Sequence, residues 1–165
     1  MDEQDTPGSC LNVFEIVTEG VHRHLICFLR SDRAQEAGID PRGVVGEFTP
    51  GEGEEFDPKT FVLNTEFINA LTSYMNEEAI KNPGMEEEGR KNVGGWLYLL
   101  DPRFPQEEGK EPEPADILGG FAVSDEGEIV PDSFYYNEEH VWFDAVNGVS
   151  GVLSDRRFYD WLYRS

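Results

Sequence analysis

Cysteine is scarce in this chain: Cys10 and Cys27 are its two cysteines in 165 residues. Two cysteines are too few for the disulfide framework of a small secreted domain. Long hydrophobic runs are missing as well, because even a run such as residues 25–29 is far too short to span a bilayer. The acidic N-terminus lacks the apolar segment of a secretory signal. These absences lead us to expect a cytoplasmic protein that does not associate with membranes.

Basic residues are also few, since 13 Lys and Arg side chains stand against 34 Asp and Glu, for a formal net charge of −21. A charge of this sign repels phosphate backbones and anionic lipid surfaces and attracts cationic proteins. We therefore expect a basic protein partner and no direct nucleic-acid binding. The acidity is concentrated between Glu86 and Glu139, where 15 acidic residues accompany four basic ones. A simpler explanation, that the charge only keeps the protein soluble, stays open at this point.

Signatures of catalysis and cofactor binding are missing too. The segment Gly148–Gly151 places its second glycine one position too early for a nucleophile elbow, and Asp125–Glu128 lacks the residue order of a calcium-binding loop. His22 and His24 have no third ligand at a motif spacing, and Cys27 lies in an apolar run typical of a core thiol. We expect no cofactor and no metal, and the sequence favours a protein that is not an enzyme.

Length and aromatic content nevertheless predict a folded protein, because 11 Phe, 6 Tyr and 3 Trp supply a large apolar area in a chain of single-domain length. We expect the α+β class, with a mainly antiparallel sheet packed with two or three helices in a single compact domain. Residues 1–9 have the composition of an acidic tail, which leaves 10–165 for the domain. Within it, residues 102–114 predict an exposed Pro/Glu-rich loop.

The segment 11–30 is ambiguous. Apolar residues recur at helical spacing, whereas Glu19-Gly20 lies between two β-rich runs and could turn a hairpin. The spacing slightly favours the helix. The following stretch, 31–43, reads as a loop, and 44–49 as a short strand.

The rest of the chain has clearer signals. Asn64 is positioned to cap a helix that runs to about Ile80, and 96–100 forms a continuous apolar run of strand length. Further elements are a hairpin of 117–123 with 128–130, a strand at 140–143, a turn at Asn147-Gly148, and a last helix capped by Ser154.

One group of residues suggests a protein interface. Aromatic side chains stand beside carboxylates near the end of the acidic region, which suits apolar anchors surrounded by charges that steer a cationic partner. The alternative is that these aromatics simply face the core. The candidate partner-binding residues are Asp125, Glu126, Glu128, Tyr135, Tyr136, Glu138, Glu139 and Trp142.

Three functions remain open at the level of sequence. The one favoured is a small acidic interaction module, for example an inhibitor or immunity-type protein for a basic partner. An enzyme is the second, with a site assembled from distant residues such as His22, His140 and carboxylates; it requires a concave pocket with a perturbed pKa. The third is an inhibitor that mimics nucleic acid by displaying regular rows of carboxylates.

Overall fold

The computed structural model describes residues 10–53, 55–104, 111–144 and 148–164. The predicted tail 1–9, residues 105–110 of the predicted loop, and Asn147 of the predicted turn lie outside these ranges. The chain divides into two units, which are described separately. One comprises Met1–Ala70 with Val152–Ser165, and the other Leu71–Gly151. The prediction of one domain with a tail therefore stays a prediction.

The first unit contains a four-stranded antiparallel sheet. Its strands, in spatial order, are β1 (Leu11–Thr18), β2 (Val21–Phe28), β3 (Val44–Phe48) and β4 (Val62–Leu63). The helix favoured for 11–30 is therefore wrong, and the hairpin alternative forms instead. Glu19 and Gly20 both adopt positive φ, at 52° and 81°, as a type I′ turn between paired strands requires. Cross-strand pairing thus overrides the apparent helical spacing.

Among the described residues, three α-helices belong wholly or partly to this unit: α1 (Ser31–Ala37), α2 (Thr65–Glu77) and α4 (Arg156–Leu162). The helix α1 lies in a segment predicted as loop. Its side chains are mostly exposed, so its sequence contains no apolar stripe from which a helix could be predicted. The cap of α4 is Asp155 rather than Ser154, because the Asp155 carboxylate accepts hydrogen bonds from two backbone amides of the first turn. The predicted helix after Asn64 is confirmed as α2, and the boundary between the units falls within it.

Aromatic rings form the core of the first unit. Phe28 stacks on Phe158 with ring centroids 5.3 Å apart, and Phe67 lies 5.8 Å from the same ring. All three are fully buried. The Tyr163 hydroxyl donates to the Phe28 carbonyl at 2.6 Å, which ties α4 to β2. Apolar burial of this kind is the main stabilising contribution to the unit.

The second unit contains α3 (Met85–Arg90) and two small antiparallel sheets. The larger has the order β5 (Trp96–Leu100), β6 (Ile117–Ala122) and β7 (Tyr135–Tyr136), and the smaller pairs β8 (Phe143–Asp144) with β9 (Gly148–Val149). The strand predicted at 96–100 and the hairpin after 117 are confirmed, since Val123 forms a bridge with Ile129. The predicted strand 140–143 is wrong in its bounds, because β8 begins only at Phe143.

The α+β class with mainly antiparallel sheets is confirmed by these elements. In the larger sheet of the second unit, Leu97 and Phe121 face one another across β5 and β6 and are buried. Their neighbours Trp96 and Tyr98 point to the opposite face, since side chains alternate along a strand. Within the described ranges, no helix combines the length and the apolar character that crossing a membrane requires.

Candidate functional site

An exposed aromatic cluster lies on the outer face of the second unit's three-stranded sheet. Trp96, Tyr98 and Tyr135 remain 44%, 52% and 41% exposed, respectively. Residue pairing brings them together, because Gly120 of β6 lies opposite both Tyr98 of β5 and Tyr135 of β7. We call these three side chains the aromatic platform. Large exposed aromatics are unusual on a free surface and frequent in protein interfaces.

The platform is held together by its own contacts. The Trp96 and Tyr135 rings meet edge to face, with centroids 5.2 Å apart and planes at 83°. Gly120 lets the two tyrosine rings lie close to the sheet: a Cβ atom there would stand 3.3 Å from Tyr98 Cδ1 and 3.4 Å from Tyr135 Cε1. Partial burial and the neighbouring Tyr98, which hydrogen-bonds to it, raise the pKa of Tyr135. The platform is therefore a packed group of rings rather than three separate side chains.

Carboxylates stand at one end of this sheet, in the turn that follows β6. The Gly94 amide, just before β5, donates to the Ser124 carbonyl at 3.0 Å, which places the turn at the Trp96 end. The Ser124 hydroxyl accepts from the amides of Glu126 at 3.2 Å and Glu128 at 3.1 Å. These bonds fix the turn, and its acidic side chains, including that of Asp125, are exposed.

The helix α3 brings a further carboxylate to this turn. Gly89 packs against it so closely that a Cβ atom would stand 2.8 Å from the Gly127 carbonyl oxygen. Glu86 of α3 then lines a cleft of about 470 Å³ together with Glu126 and Glu128. The negative charge at this end of the sheet therefore comes from two separate segments.

A second set of carboxylates stands at the opposite end, after β7. Asn137 holds this segment: its Nδ2 donates to the carbonyls of Pro114 and Ile117 at 2.8 Å each. Its Oδ1 accepts from the Glu139 amide at 3.1 Å. Glu138 and Glu139 are exposed on the resulting turn. The platform thus lies between two acidic segments of fixed backbone geometry.

The residues predicted as partner-binding divide between surface and interior. Asp125, Glu126, Glu128, Tyr135, Glu138 and Glu139 are exposed, as a docking role requires. Tyr136 is half-buried and Trp142 is only 3% exposed, with their rings stacked at 6.1 Å, so that Trp142 supports the segment from inside. The alternative of core-facing aromatics holds for these two.

Sequence reasoning missed Trp96 and Tyr98. The run 96–100 is apolar throughout, so it predicted a strand without showing which face would be exposed. A signal was nevertheless present, because Trp and Tyr alternate with leucine at the start of this strand, and both aromatics suit a half-exposed position better than leucine does. The exposed face could be assigned only once the pairing of β5 with β6 was known.

A buried polar cluster centred on Asp101 lies in the same unit. Its Oδ2 accepts from His140 Nε2 at 2.7 Å and from the Ser150 hydroxyl at 2.5 Å. Its Oδ1 accepts from the backbone amides of Arg103 at 3.0 Å and Gly151 at 2.8 Å. Burial raises the pKa of Asp101, but these four hydrogen bonds outweigh burial and hold the pKa at about 2. The carboxylate is therefore ionised at neutral pH.

Arg103 forms the second part of the cluster. Its side chain is 5% exposed, and its Nε lies 3.3 Å from an Asp116 carboxylate oxygen. The remaining guanidinium N–H groups donate to four backbone carbonyls at 2.5 to 3.3 Å. Those carbonyls belong to Ala115, Val141, Trp142 and Gly148. One buried cation thus joins the segments before β6, before β8 and at β9.

This cluster contains Ser, His and Asp but not the geometry of a nucleophilic triad. In a triad the histidine bridges serine and carboxylate and removes the serine proton. Here Asp101 is in the middle, so that Ser150 donates to an ion of low basicity rather than to His140. The side chains of His140 and Asp101 are 0% exposed, which leaves no approach for a substrate. The arrangement holds loops together.

Histidines of the first unit form a surface contact. His22 and His24 share one face of β2, and Glu15 of β1 lies 2.6 Å and 3.6 Å from their respective ring nitrogens. His22 is well exposed, and such surface pairs contribute little. Among the described residues, no group of three or more His, Cys, Asp and Glu side chains is arranged to hold a metal.

Cys27 is fully buried, and burial raises its pKa to about 12, so that it is a core thiol.

An open groove of about 920 Å³ also lies on the first unit, between the sheet and the start of α2. Two of its lining residues, Arg23 and Glu47, form an ion pair at 2.6 Å. Hydrogen bonding to this arginine lowers the pKa of Glu47, which makes the carboxylate a weaker base. The perturbed pKa in this groove therefore reflects a surface ion pair and does not provide a proton-transfer group.

Comparisons with known proteins give no match: no family model, no curated protein and no solved structure is similar to this chain.

Proposed function

We propose that this chain is a protein-interaction module that docks on a basic protein through the aromatic platform and the acidic segments at both ends of it. The observation that carries the proposal is the platform itself: three exposed, mutually packed aromatic side chains on one sheet face of a strongly acidic chain. Neither the buried Asp101 cluster nor the groove of the first unit supports a catalytic function as directly as the platform supports docking.

The expected energetics follow the usual anatomy of a protein interface, with apolar residues at the centre and charged residues at the rim. Trp and Tyr are enriched among the few residues that carry most of the binding energy, and they act best near the centre of a patch. The platform supplies such a centre, and its rings are already positioned, which reduces the entropy lost on binding. Asp125 and Glu138 are exposed on the turns at the two ends of the sheet, and exposed charges influence encounter rate more than final affinity.

Charge complementarity defines the partner as basic. The unit that carries the platform, Leu71–Gly151, contains 18 acidic side chains against five basic ones. A cationic surface is attracted over the Debye length, about 8 Å at physiological ionic strength. Added salt should therefore slow association markedly and leave dissociation less affected. Where the covered surface of the partner is also its working surface, docking inhibits it, which is how an immunity-type protein acts on a basic toxin or nuclease.

A reducing compartment suits this function. Cys10 and Cys27 are both unpaired and buried, and neither is protected by a disulfide. We therefore assign the module to the cytoplasm, where thiols persist in the reduced form.

The test is an affinity capture with matched variants. The full chain, its Trp96→Ala and Tyr135→Ala variants and a Val62→Ala control are immobilised, and proteins captured at low salt are eluted by rising salt. Val62 suits the control because it is an exposed apolar residue of the first unit. A basic protein held by wild type and control but lost by both platform variants identifies the partner. Its purified form should then bind the platform variants at least about tenfold more weakly.

The charge requirement has its own control. Glu138→Gln with Glu139→Gln removes two rim charges, and Glu36→Gln with Glu52→Gln removes two exposed charges elsewhere. The first pair should slow association with the purified partner more than the second. A partner that binds platform variants and wild type equally, or whose association does not respond to salt, contradicts the proposed function.

A further inference from the structure

We infer that the aromatic platform selects arginine over lysine in its partner. This inference rests on the proposed function and specifies the chemistry of the group that the platform receives. The guanidinium of arginine is planar, weakly hydrated and able to stack on aromatic rings while its edge donates to carboxylates. The ammonium of lysine is a compact, strongly hydrated charge that stacks on rings and pairs with carboxylates less well.

The platform has the shape that stacking requires. The rings of Tyr98 and Tyr135 lie against Gly120, whose lack of a side chain lets both rings pack close to the sheet and cover it. Trp96 meets Tyr135 edge to face at 5.2 Å, so that ring faces of different orientation are presented side by side. Tryptophan and tyrosine are the aromatics that attract cations most strongly. A planar cation is therefore offered several faces at once.

The basic side chains described in the second unit contact groups other than the platform. Arg103 is buried and bonded to backbone carbonyls. Arg90 and Lys91 lie 3.9 Å and 3.1 Å from carboxylates of α3, and Lys81 lies 3.7 Å from Glu78. These four are the basic residues of the second unit that the structure describes.

The same chain uses arginine in this manner in its first unit. The Arg33 guanidinium carbon lies 4.7 Å above the centre of the Tyr163 ring, and that of Arg164 lies 4.7 Å above the Trp161 ring. Both distances are within the range of a cation–π contact. The carboxylates flanking the platform would accept forked hydrogen bonds, which only a guanidinium can donate from two parallel N–H groups. Ring stacking and paired hydrogen bonds to carboxylates are together the reason why we expect arginine to be preferred over lysine.

The test uses two synthetic peptides as probes, ten arginines and ten lysines, with equal length and charge. Their affinities for the full-length protein are measured by calorimetry at two salt concentrations. The arginine peptide should bind about fivefold or more tightly than the lysine peptide. Tyr98→Leu and Trp96→Leu should reduce this ratio towards one, and Tyr98→Phe, which keeps the ring, should retain it. Val62→Ala serves as the unaffected control.

The possible outcomes separate the two proposals. Equal affinities of both peptides for the wild type overturn the preference for arginine but leave docking on a basic partner standing. A preference that persists in Tyr98→Leu and Trp96→Leu, with both variants folded by circular dichroism, also overturns it, because carboxylates alone would then account for it. Failure of both peptides to bind at low salt contradicts the proposed function itself.

Discussion

His140 donates through Nε2 to Asp101 Oδ2 at 2.7 Å, and neither side chain is exposed to solvent. An ionised carboxylate only accepts hydrogen bonds, so the Nε2 atom carries a proton. The other ring nitrogen, Nδ1, lies 2.9 Å from the Tyr136 hydroxyl. These hydrogen bonds link the end of β5 to β7. The turn that follows β7 carries Glu138 and Glu139 at its surface. The buried cluster therefore supports the candidate docking surface.

Replacing Asp101 with Asn should destabilise the protein by about 3 to 5 kcal/mol, because one buried charge and half of its acceptor capacity are lost while four donors remain. Urea denaturation followed by tryptophan fluorescence measures the change. Asp132→Asn is the matched control, since Asp132 is exposed and its positive φ of 59° suits Asn equally well. Equal effects of the two substitutions would contradict the role given to the cluster.

Stability should fall in acid in a way that depends on Asp101. The pKa of this group is about 2 in the folded protein, below its ordinary value of 3.8. A lowered pKa contributes stability above the unfolded value and loses it as pH falls towards the folded value. The stability difference between wild type and Asp101→Asn should therefore narrow by about 1 kcal/mol from pH 6 to pH 3. Urea titrations at both pH values check this; a constant difference argues against it.

Replacing Arg103 with Lys should cost about 3 kcal/mol or more, because an ammonium cannot reach Asp116 and four carbonyls from one position. Arg90→Lys is the control, since the Arg90 side chain is 66% exposed and the change there should stay within about 0.5 kcal/mol. Thermal unfolding of both variants provides the comparison. Equal melting temperatures would show that the buried Arg103 guanidinium contributes no more to stability than the exposed Arg90 side chain.

The turn between β1 and β2 should be improvable. Glu19 adopts a φ of 52°, which a non-glycine residue tolerates poorly and which Asn accepts more readily. We expect Glu19→Asn to stabilise the protein by about 0.5 to 1 kcal/mol. Gly20→Ala should instead destabilise it by about 1 kcal/mol, since its φ of 81° disfavours a Cβ atom. Denaturation midpoints measure both, and a loss of stability in Glu19→Asn would contradict the assigned turn.

Local signals in the sequence predicted the elements that depend on local interactions. The helix after Asn64 has a capping residue and a 3.6-residue apolar stripe, and both are properties of neighbouring positions. The hairpin after β6 follows from its glycine-containing turn. The segment 11–30 was misassigned because its apolar residues satisfy helical spacing by coincidence, and the choice depended on pairing with the remote strand β3.

The candidate site was predicted in part. The exposed carboxylates and Tyr135 follow from composition, because acidic residues in turns are exposed and the region around them is uniformly negative. Trp96 and Tyr98 do not follow, since only the register of β5 against β6 places them beside Tyr135 over Gly120. Trp142 was assigned to the surface by its position in the sequence, and the structure buries it beneath Tyr136.

The amino-acid sequence by itself determined the charge of this protein, its α+β class and the hairpin turn after β6, because these depend on composition and on adjacent residues. Tertiary structure alone decided which aromatic rings face outward and which polar groups are buried together. Asp101, His140 and Ser150 are separated by up to 49 positions, and nothing in their spacing brings them into contact. Only the pairing of distant strands does so, and it also creates the aromatic platform.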